Sequence, residues 1–228
     1  MGAEFNGRFT GTFGLMGTFS SFFSHHISTM EGGCILTDNE EIHHILLSIR
    51  AHGWTRNLPN SNYVTGEKSK NSFEEAFKFV LPGYNVRPLE MSGAIGSEQL
   101  KKLKDFVFER RQNAAYFVKK FENIKNIQIQ KEIGSSSWFG FSIILNNDAN
   151  IKRSELLTEL EKNNIEVRPI VTGDFTKNKE VLEYFDFEIH GKLENAKKLD
   201  SNGFFVGNHH YSLKSEIDYL FSLIEKLV

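Results

Sequence analysis

From residue 127 to the C-terminus short apolar runs alternate with stretches of helical period, and this alternation confines the second half of the chain to a small α/β layer. Residues 127–130, 138–145, 165–167 and 204–206 read as strands, and 152–163, 192–201 and 212–227 as helices. The last helix is the clearest, because Leu213, Ile217, Leu220, Phe221, Ile224 and Leu227 fall on one stripe. A second long stripe precedes the alternation. Leu100, Leu103, Val107, Ala114, Val118 and Phe121 share a face, which predicts a long helix ending near residue 123, and a domain boundary is expected there. The expected domains are therefore 1–123 and 124–228.

The first half has less period. Gly7, Gly11, Gly14 and Gly17 mark turns and close backbone packing. Residues 18–24 are aromatic enough for a buried strand, and residues 33–37 form a second. Asp38, with Glu41 three positions on, reads as the cap of a helix over 39–50 that carries Ile42, Ile45, Leu46 and Ile49 on one face. Residues 52–86, with Pro59, Gly66, Pro82 and Gly83, show no period, and a loop of that length is usually functional or disordered.

Charge and cysteine content exclude several classes of function. Lys+Arg 27 against Asp+Glu 29 leaves a formal charge of −2, so no whole-protein field attracts nucleic acid or an anionic membrane. Cys34 is the single cysteine, which excludes an internal disulfide framework and a multi-cysteine zinc cluster. The eight histidines show no ligand spacing, so no metal site is expected, and no Gly-x-Ser-x-Gly elbow supports a serine hydrolase. Without an apolar run of membrane length, a signal-peptide pattern or a myristoylation pattern, the expectation is a soluble, cytoplasmic protein.

The densest polar cluster within apolar sequence is Ser20-Ser21-Phe22-Phe23-Ser24-His25-His26-Ile27-Ser28-Thr29-Met30-Glu31-Gly32-Gly33. Its hydroxyls and flexible backbone N–H groups could hold a phosphate, and an imidazole could move protons near neutral pH. A hydrogen-bonded turn with surface histidines explains the same residues.

Residues 11–37 resemble the active-site strand of the DegT/DnrJ/EryC1/StrS family of pyridoxal-phosphate-dependent sugar aminotransferases and dehydratases. Three later segments extend the resemblance over essentially the whole chain: Gly83-Tyr84-Asn85 through Gly96, Val167-Arg168-Pro169-Ile170-Val171, and Phe204-Phe205-Val206-Gly207-Asn208-His209-His210. The implied fold is the C-terminal part of the aspartate aminotransferase fold (PLP-dependent transferase type I). An incomplete large domain would be followed by a small α/β domain.

One position separates the branches of the family. Its aminotransferases place a lysine that condenses with the cofactor six residues before the Glu of the Glu-Gly-Gly segment, and here that position is His25. Histidine marks the 3-dehydratases, which act on nucleotide-linked 4-keto-6-deoxyhexoses on the way to dideoxysugars of bacterial surface polysaccharide. One histidine-bearing relative carries an iron–sulfur cluster, but Cys34 alone cannot supply the usual four cysteines. The resemblance implies pyridoxal 5′-phosphate or pyridoxamine 5′-phosphate as cofactor, glutamate as amino donor and His25 as the acid–base residue. Ser20 matches the family serine that binds the cofactor phosphate. Asn85 matches an asparagine reaching the phosphate in the neighbouring subunit, which implies a homodimer with shared sites. Arg168 and His210 are candidates for substrate contact from the small domain. His52 and Trp54 are candidates for lining the sugar or nucleotide site.

The sequence opens at about the point where the family's large domain is half built. The first strands, the opposite phosphate grip and the aspartate that pairs with the pyridine nitrogen are not in it. Two expectations from different classes follow. The chain is a dehydratase acting together with a missing half, or it is an inactive fragment or interaction subunit. In either case the isolated chain should bind cofactor poorly.

Overall fold

The computed structural model describes all 228 residues as two compact units, Met1–Leu103 and Lys104–Val228. Helix α3 (Glu90–Phe121) runs through the division, so the units part within the helix, upstream of the boundary expected at its end.

The first unit opens with a minimal hairpin, β1 (Glu4–Phe5) against β2 (Arg8–Phe9). Its turn is Asn6-Gly7 with φ of 49° and 74°, the pair of positive angles that a tight two-residue hairpin needs. Strand β3 (Gly17–Ser20) pairs antiparallel with β4 (Gly33–Leu36), Ser20 opposite Gly33 and Gly17 opposite Leu36. The strand expected over 18–24 therefore stops at Ser20, and Phe22 and Phe23 turn away in a loop. Helix α1 (Glu40–Ile49) is capped by Asn39, whose side chain accepts from the Ile42 N–H at 3.0 Å. Asp38 does not cap it. The Thr37 hydroxyl accepts the Asn39 N–H at 3.1 Å, which leaves Asn39 as the last extended residue before the helix.

Residues 51–86 are ordered without being periodic. The chain folds through β5 (Ser61–Asn62), β6 (Gly66–Glu67) and α2 (Ser72–Glu75), then returns beside its own start through the bridges Trp54 to Phe79 and Ala51 to Asn85. Side chains hold these turns. Asn62 Oδ1 accepts from the N–H groups of Val64 and Thr65. Glu75 accepts from the Ser69 N–H, from Lys78 and from the Thr55 hydroxyl, and the Ser69 N–H is the largest cause holding its carboxyl below the ordinary value. Gly53, at φ 82°, allows the two passes to cross, since a Cβ there would lie 1.6 Å from the Leu81 carbonyl oxygen.

The second unit is built on an antiparallel sheet ordered β7 (Ile127–Ile129), β8 (Gly140–Leu145), β9 (Gly203–Gly207). Phe141, Ile143 and Leu145 alternate along β8 and are all buried, the period-2 pattern of a strand with one face on a core. Helices α4 (Arg153–Lys162), α5 (Lys179–Leu182), α6 (Glu194–Asn202) and α7 (Lys214–Leu227) complete the layer. Every residue of the stripe read for the last helix lies in this core or packs against it. Phe117 stacks between Phe121 and Phe141 at 4.4 and 4.3 Å. The strand expected over 165–167 is absent. One bridge forms just beyond it, where Arg168 and Phe205 exchange backbone hydrogen bonds of 2.9 and 2.8 Å.

A buried polar clamp fixes the turn after β9. Arg110 Nη1 donates to the Asn208 carbonyl at 2.7 Å, and Asn113 Nδ2 donates to the Tyr211 carbonyl at 2.8 Å. Asn208 Nδ2 donates back to the carbonyls of Arg110 and Trp138 at 3.1 and 2.9 Å. These bonds pair polar groups of a turn that the sheet ladder no longer serves, and all but the one to Tyr211 are fully buried. Burial lowers the Arg110 guanidinium pKa from its usual value.

Candidate active site

Residues 21–32 form the connection between β3 and β4, and hydrogen bonds close its neck. The Ser21 N–H donates to the Gly32 carbonyl at 3.0 Å, and the Thr29 N–H to the Ser21 carbonyl at 2.9 Å. The Ser21 and Thr29 hydroxyls lie 2.6 Å apart, and Thr29 Oγ1 also donates to the Glu31 carbonyl at 3.0 Å. Met30 and Gly32 take positive φ to bring the chain back to β4. Helix α3 lies against this neck at Gly96, where a Cβ would sit 2.9 Å from Thr29 Cγ2. The close approach accounts for a glycine inside a helix, where it is otherwise unfavourable.

The tied neck presents a short polar tip. A turn with the His25 N–H on the Phe22 carbonyl at 2.9 Å carries the half-buried His25, whose ring meets Phe22 edge-on at 6.2 Å. His26 and Ile27 are buried beneath it. Ser20, at the end of β3, is exposed, and its Oγ accepts the Phe22 N–H at 3.3 Å, which leaves the hydroxyl proton to donate. Ser20 and His25 thus lie at one end of one ladder.

The other candidates occupy separate places. Asn85 is in the first unit, opposite Ala51 across its bridge. His52 is exposed at φ 63°, its N–H on the Tyr84 carbonyl at 2.8 Å. Trp54 serves packing. Phe77 and Phe79 stack near its indole at 5.4 Å each, the Arg56 guanidinium lies 3.6 Å from the ring centre, and Nε1 donates to the Ala76 carbonyl. Arg168 and His210 belong to the second unit. Arg168 is paired with Glu166 at 2.6 Å, and the exposed His210 lies 4.1 Å from the Phe106 ring, on the turn held by the Arg110–Asn113–Asn208 clamp. Sequence reading did not single out Ser21, Thr29 or Gly96 as the supports of the tip. Two hydroxyls flanking the histidines were the available signal.

A hydroxyl at the end of β3 and an imidazole in the connection that follows it are the polar groups available here, and no lysine lies between them, because Lys68 is the first of the chain. No helix is long and apolar enough to cross a membrane.

Residues 1–223 match the DegT/DnrJ/EryC1/StrS aminotransferase family, and the chain belongs to it. It is 64% identical over 220 residues to GDP-4-keto-6-deoxy-D-mannose 3-dehydratase of Escherichia coli O55:H7, a match covering 96% of this chain and 57% of that enzyme. The structure of the E. coli dehydratase with bound hydrated PLP superposes with a TM-score of 0.95 at 63% identity, over 98% of this chain and 57% of that one. A double variant of the dehydratase, with an adjacent serine and histidine replaced by asparagine and lysine, gives a TM-score of 0.95 at 62% identity, over 98% and 59% of the two chains. The chain therefore spans somewhat more than half the length of these relatives.

Proposed function

We propose that this chain is the His25-bearing part of a cytoplasmic dehydratase that removes the C3 hydroxyl of a GDP-linked 4-keto-6-deoxyhexose, on the way to a dideoxysugar of surface polysaccharide. One observation carries the reading. The chain is 64% identical to such an enzyme, and it contains a single adjacent serine–histidine pair, Ser24-His25, at the tip of the tied loop. The double variant shows that an adjacent serine and histidine of the relative were chosen for replacement, the histidine by lysine.

The cofactor, in its pyridoxamine phosphate form, would supply a nitrogen for the sugar's C4 ketone and a ring that accepts electrons as the C3 hydroxyl leaves. The residues of this chain do the rest. Ser20 donates its hydroxyl proton to a phosphate oxygen. His25, having no amine with which to condense, takes a proton at the reacting carbon and returns one to the departing hydroxyl. Asn85 reaches the phosphate bound in a second subunit of a homodimer, and Arg168 and His210 contact the nucleotide sugar from a small domain at 124–228. Residues 1–123 are then the matched part of the large domain. Glutamate restores the amine form.

The test is to co-express the chain with the part of the E. coli dehydratase that it does not match, then supply GDP-4-keto-6-deoxymannose, cofactor and glutamate. The expected product is lighter by one oxygen atom, with ammonia and 2-oxoglutarate formed one for one, while the isolated chain gives none. No turnover in the completed protein would favour the second reading, an inactive fragment or interaction subunit.

A further inference from the structure

We propose that the hydroxyls of Ser21 and Thr29 act together as a positioning pair, which holds the turn carrying His25 at a fixed place relative to Ser20. The proposal rests on the reading of His25 as the proton-moving group and deepens it. Two serines stand side by side at the end of β3, and their surroundings give them different work. Ser20 is exposed, and its Oγ accepts the Phe22 N–H, so its proton remains for a ligand. Ser21 is 8% exposed, and its Oγ lies 2.6 Å from Thr29 Oγ1. Each hydroxyl has one proton. That of Thr29 has two carbonyls in reach, Glu31 at 3.0 Å and Ser21 at 3.4 Å. The Thr29 oxygen is left to accept, so Ser21 donates across the 2.6 Å contact and keeps no proton for a ligand.

The pair closes residues 22–28 into a ring with His25 at its centre. Backbone bonds from the Ser21 N–H to Gly32 and from the Thr29 N–H to Ser21 set the same neck. The surrounding backbone makes room for both branches of the threonine. Gly32 takes φ 140°, and a Cβ there would lie 3.0 Å from Thr29 Oγ1 and 3.2 Å from Ser21 Oγ. Gly96 of α3 leaves the matching room for the Thr29 methyl. Such a hydroxyl pair, removed from water, fixes direction as well as distance. A proton-transfer group works only within hydrogen-bond reach of its proton, and a misplacement of about 1 Å can cost about a hundredfold in rate.

The test uses the completed protein in two backgrounds. In His25→Lys, the rate at which pyridoxal phosphate becomes attached to residue 25, trapped with borohydride, reports where that side chain stands, and it does so without dehydration. In the parent, steady-state rates separate kcat from KM. Thr29→Val keeps the shape but removes the acceptor and strands the buried Ser21 donor. It should slow attachment and kcat by about tenfold or more and leave KM nearly unchanged. Thr29→Ser, which keeps the hydroxyl, should recover most of both rates. Ser21→Ala combined with Thr29→Val should be no slower than Thr29→Val, because the two hydroxyls act as a unit. Thr37→Val, which removes a hydroxyl at the opposite end of the same ladder, should change neither rate. Ser21→Ala strands no donor, and it carries the same test should Thr29→Val fail to assemble. Attachment that Thr29→Val leaves unslowed, equal losses in Thr29→Ser, or losses that multiply in the double variant would each overturn this proposal alone. A His25→Lys protein that attaches no coenzyme at residue 25 would sink the functional reading and the proposal with it.

Discussion

In the completed enzyme, His25→Asn will lower the dehydration rate by a factor of about 10²–10⁴, the usual contribution of a positioned proton-transfer group. The loss should fall on kcat and leave KM nearly unchanged. The His25 N–H donates to the Phe22 carbonyl, and backbone and hydroxyl contacts of Ser21, Thr29 and Gly32 close the neck. Asparagine keeps the polarity and approximate size of the side chain at a half-buried position, so the tip keeps its shape while the titrating group is lost. Steady-state rates against GDP-sugar concentration check this. A variant with kcat within a few-fold of the parent would show that another group moves the proton.

Phe117→Ala will destabilise the second unit by about 3–5 kcal/mol, the range for removing a large aromatic side chain from a core that cannot collapse around the gap. Phe117 is 0% exposed, and its ring stacks on Phe121 and lies within 7° of parallel to Phe141. The substitution therefore removes the middle ring of a stack joining α3 to β8, both of which are anchored elsewhere, α3 by the Asn208 clamp and β8 by two strand partners. The chain has one tryptophan in each unit, so Trp54→Phe leaves Trp138 to report on the second. Urea unfolding followed by that fluorescence should show the shift. A change below 1.5 kcal/mol, small for a buried aromatic truncation, would mean that the stack relaxes into the gap.

The parts of the fold legible in the sequence were those whose stability comes from a repeating apolar face. Helix α7, the long helix α3 and the strands β8 and β9 announced themselves because Ile217, Leu220 and Ile224, or Phe141, Ile143 and Leu145, recur at the period of their element. Residues 51–86 gave no such signal. Their order comes from carboxylate, amide and hydroxyl contacts such as those of Glu75 and Asn62, which have no period. Phe22 and Phe23 misled in the opposite direction, since aromatic content reads as strand whereas the Ser21–Thr29 contact turns the chain out of it. The clamp of Arg110, Asn113 and Asn208 joins residues nearly a hundred positions apart, and nothing local marks them as partners.

The candidate site was legible to a different extent. Ser20 and His25 were singled out because hydroxyls, imidazoles and glycines crowd one short segment, and both lie toward the same end of the β3–β4 ladder. Trp54 was a candidate by its place in a long aperiodic segment, and its indole packs against Phe77 and Phe79 with the Arg56 guanidinium over the ring. Arg168 and His210 lie in the second unit, and sequence proximity says nothing about residues so far from His25 along the chain.

We propose that the His25 imidazole stands where related aminotransferases keep an amine, so that a bound coenzyme would have no bond to protein. Borohydride treatment of the completed, cofactor-loaded protein, followed by mass spectrometry of the peptide containing residue 25, tests it directly. The parent should carry no covalently attached coenzyme, and His25→Lys should carry one equivalent on that peptide together with loss of dehydration. Attachment in the parent, or a His25→Lys protein that still dehydrates and stays unmodified, would contradict the account.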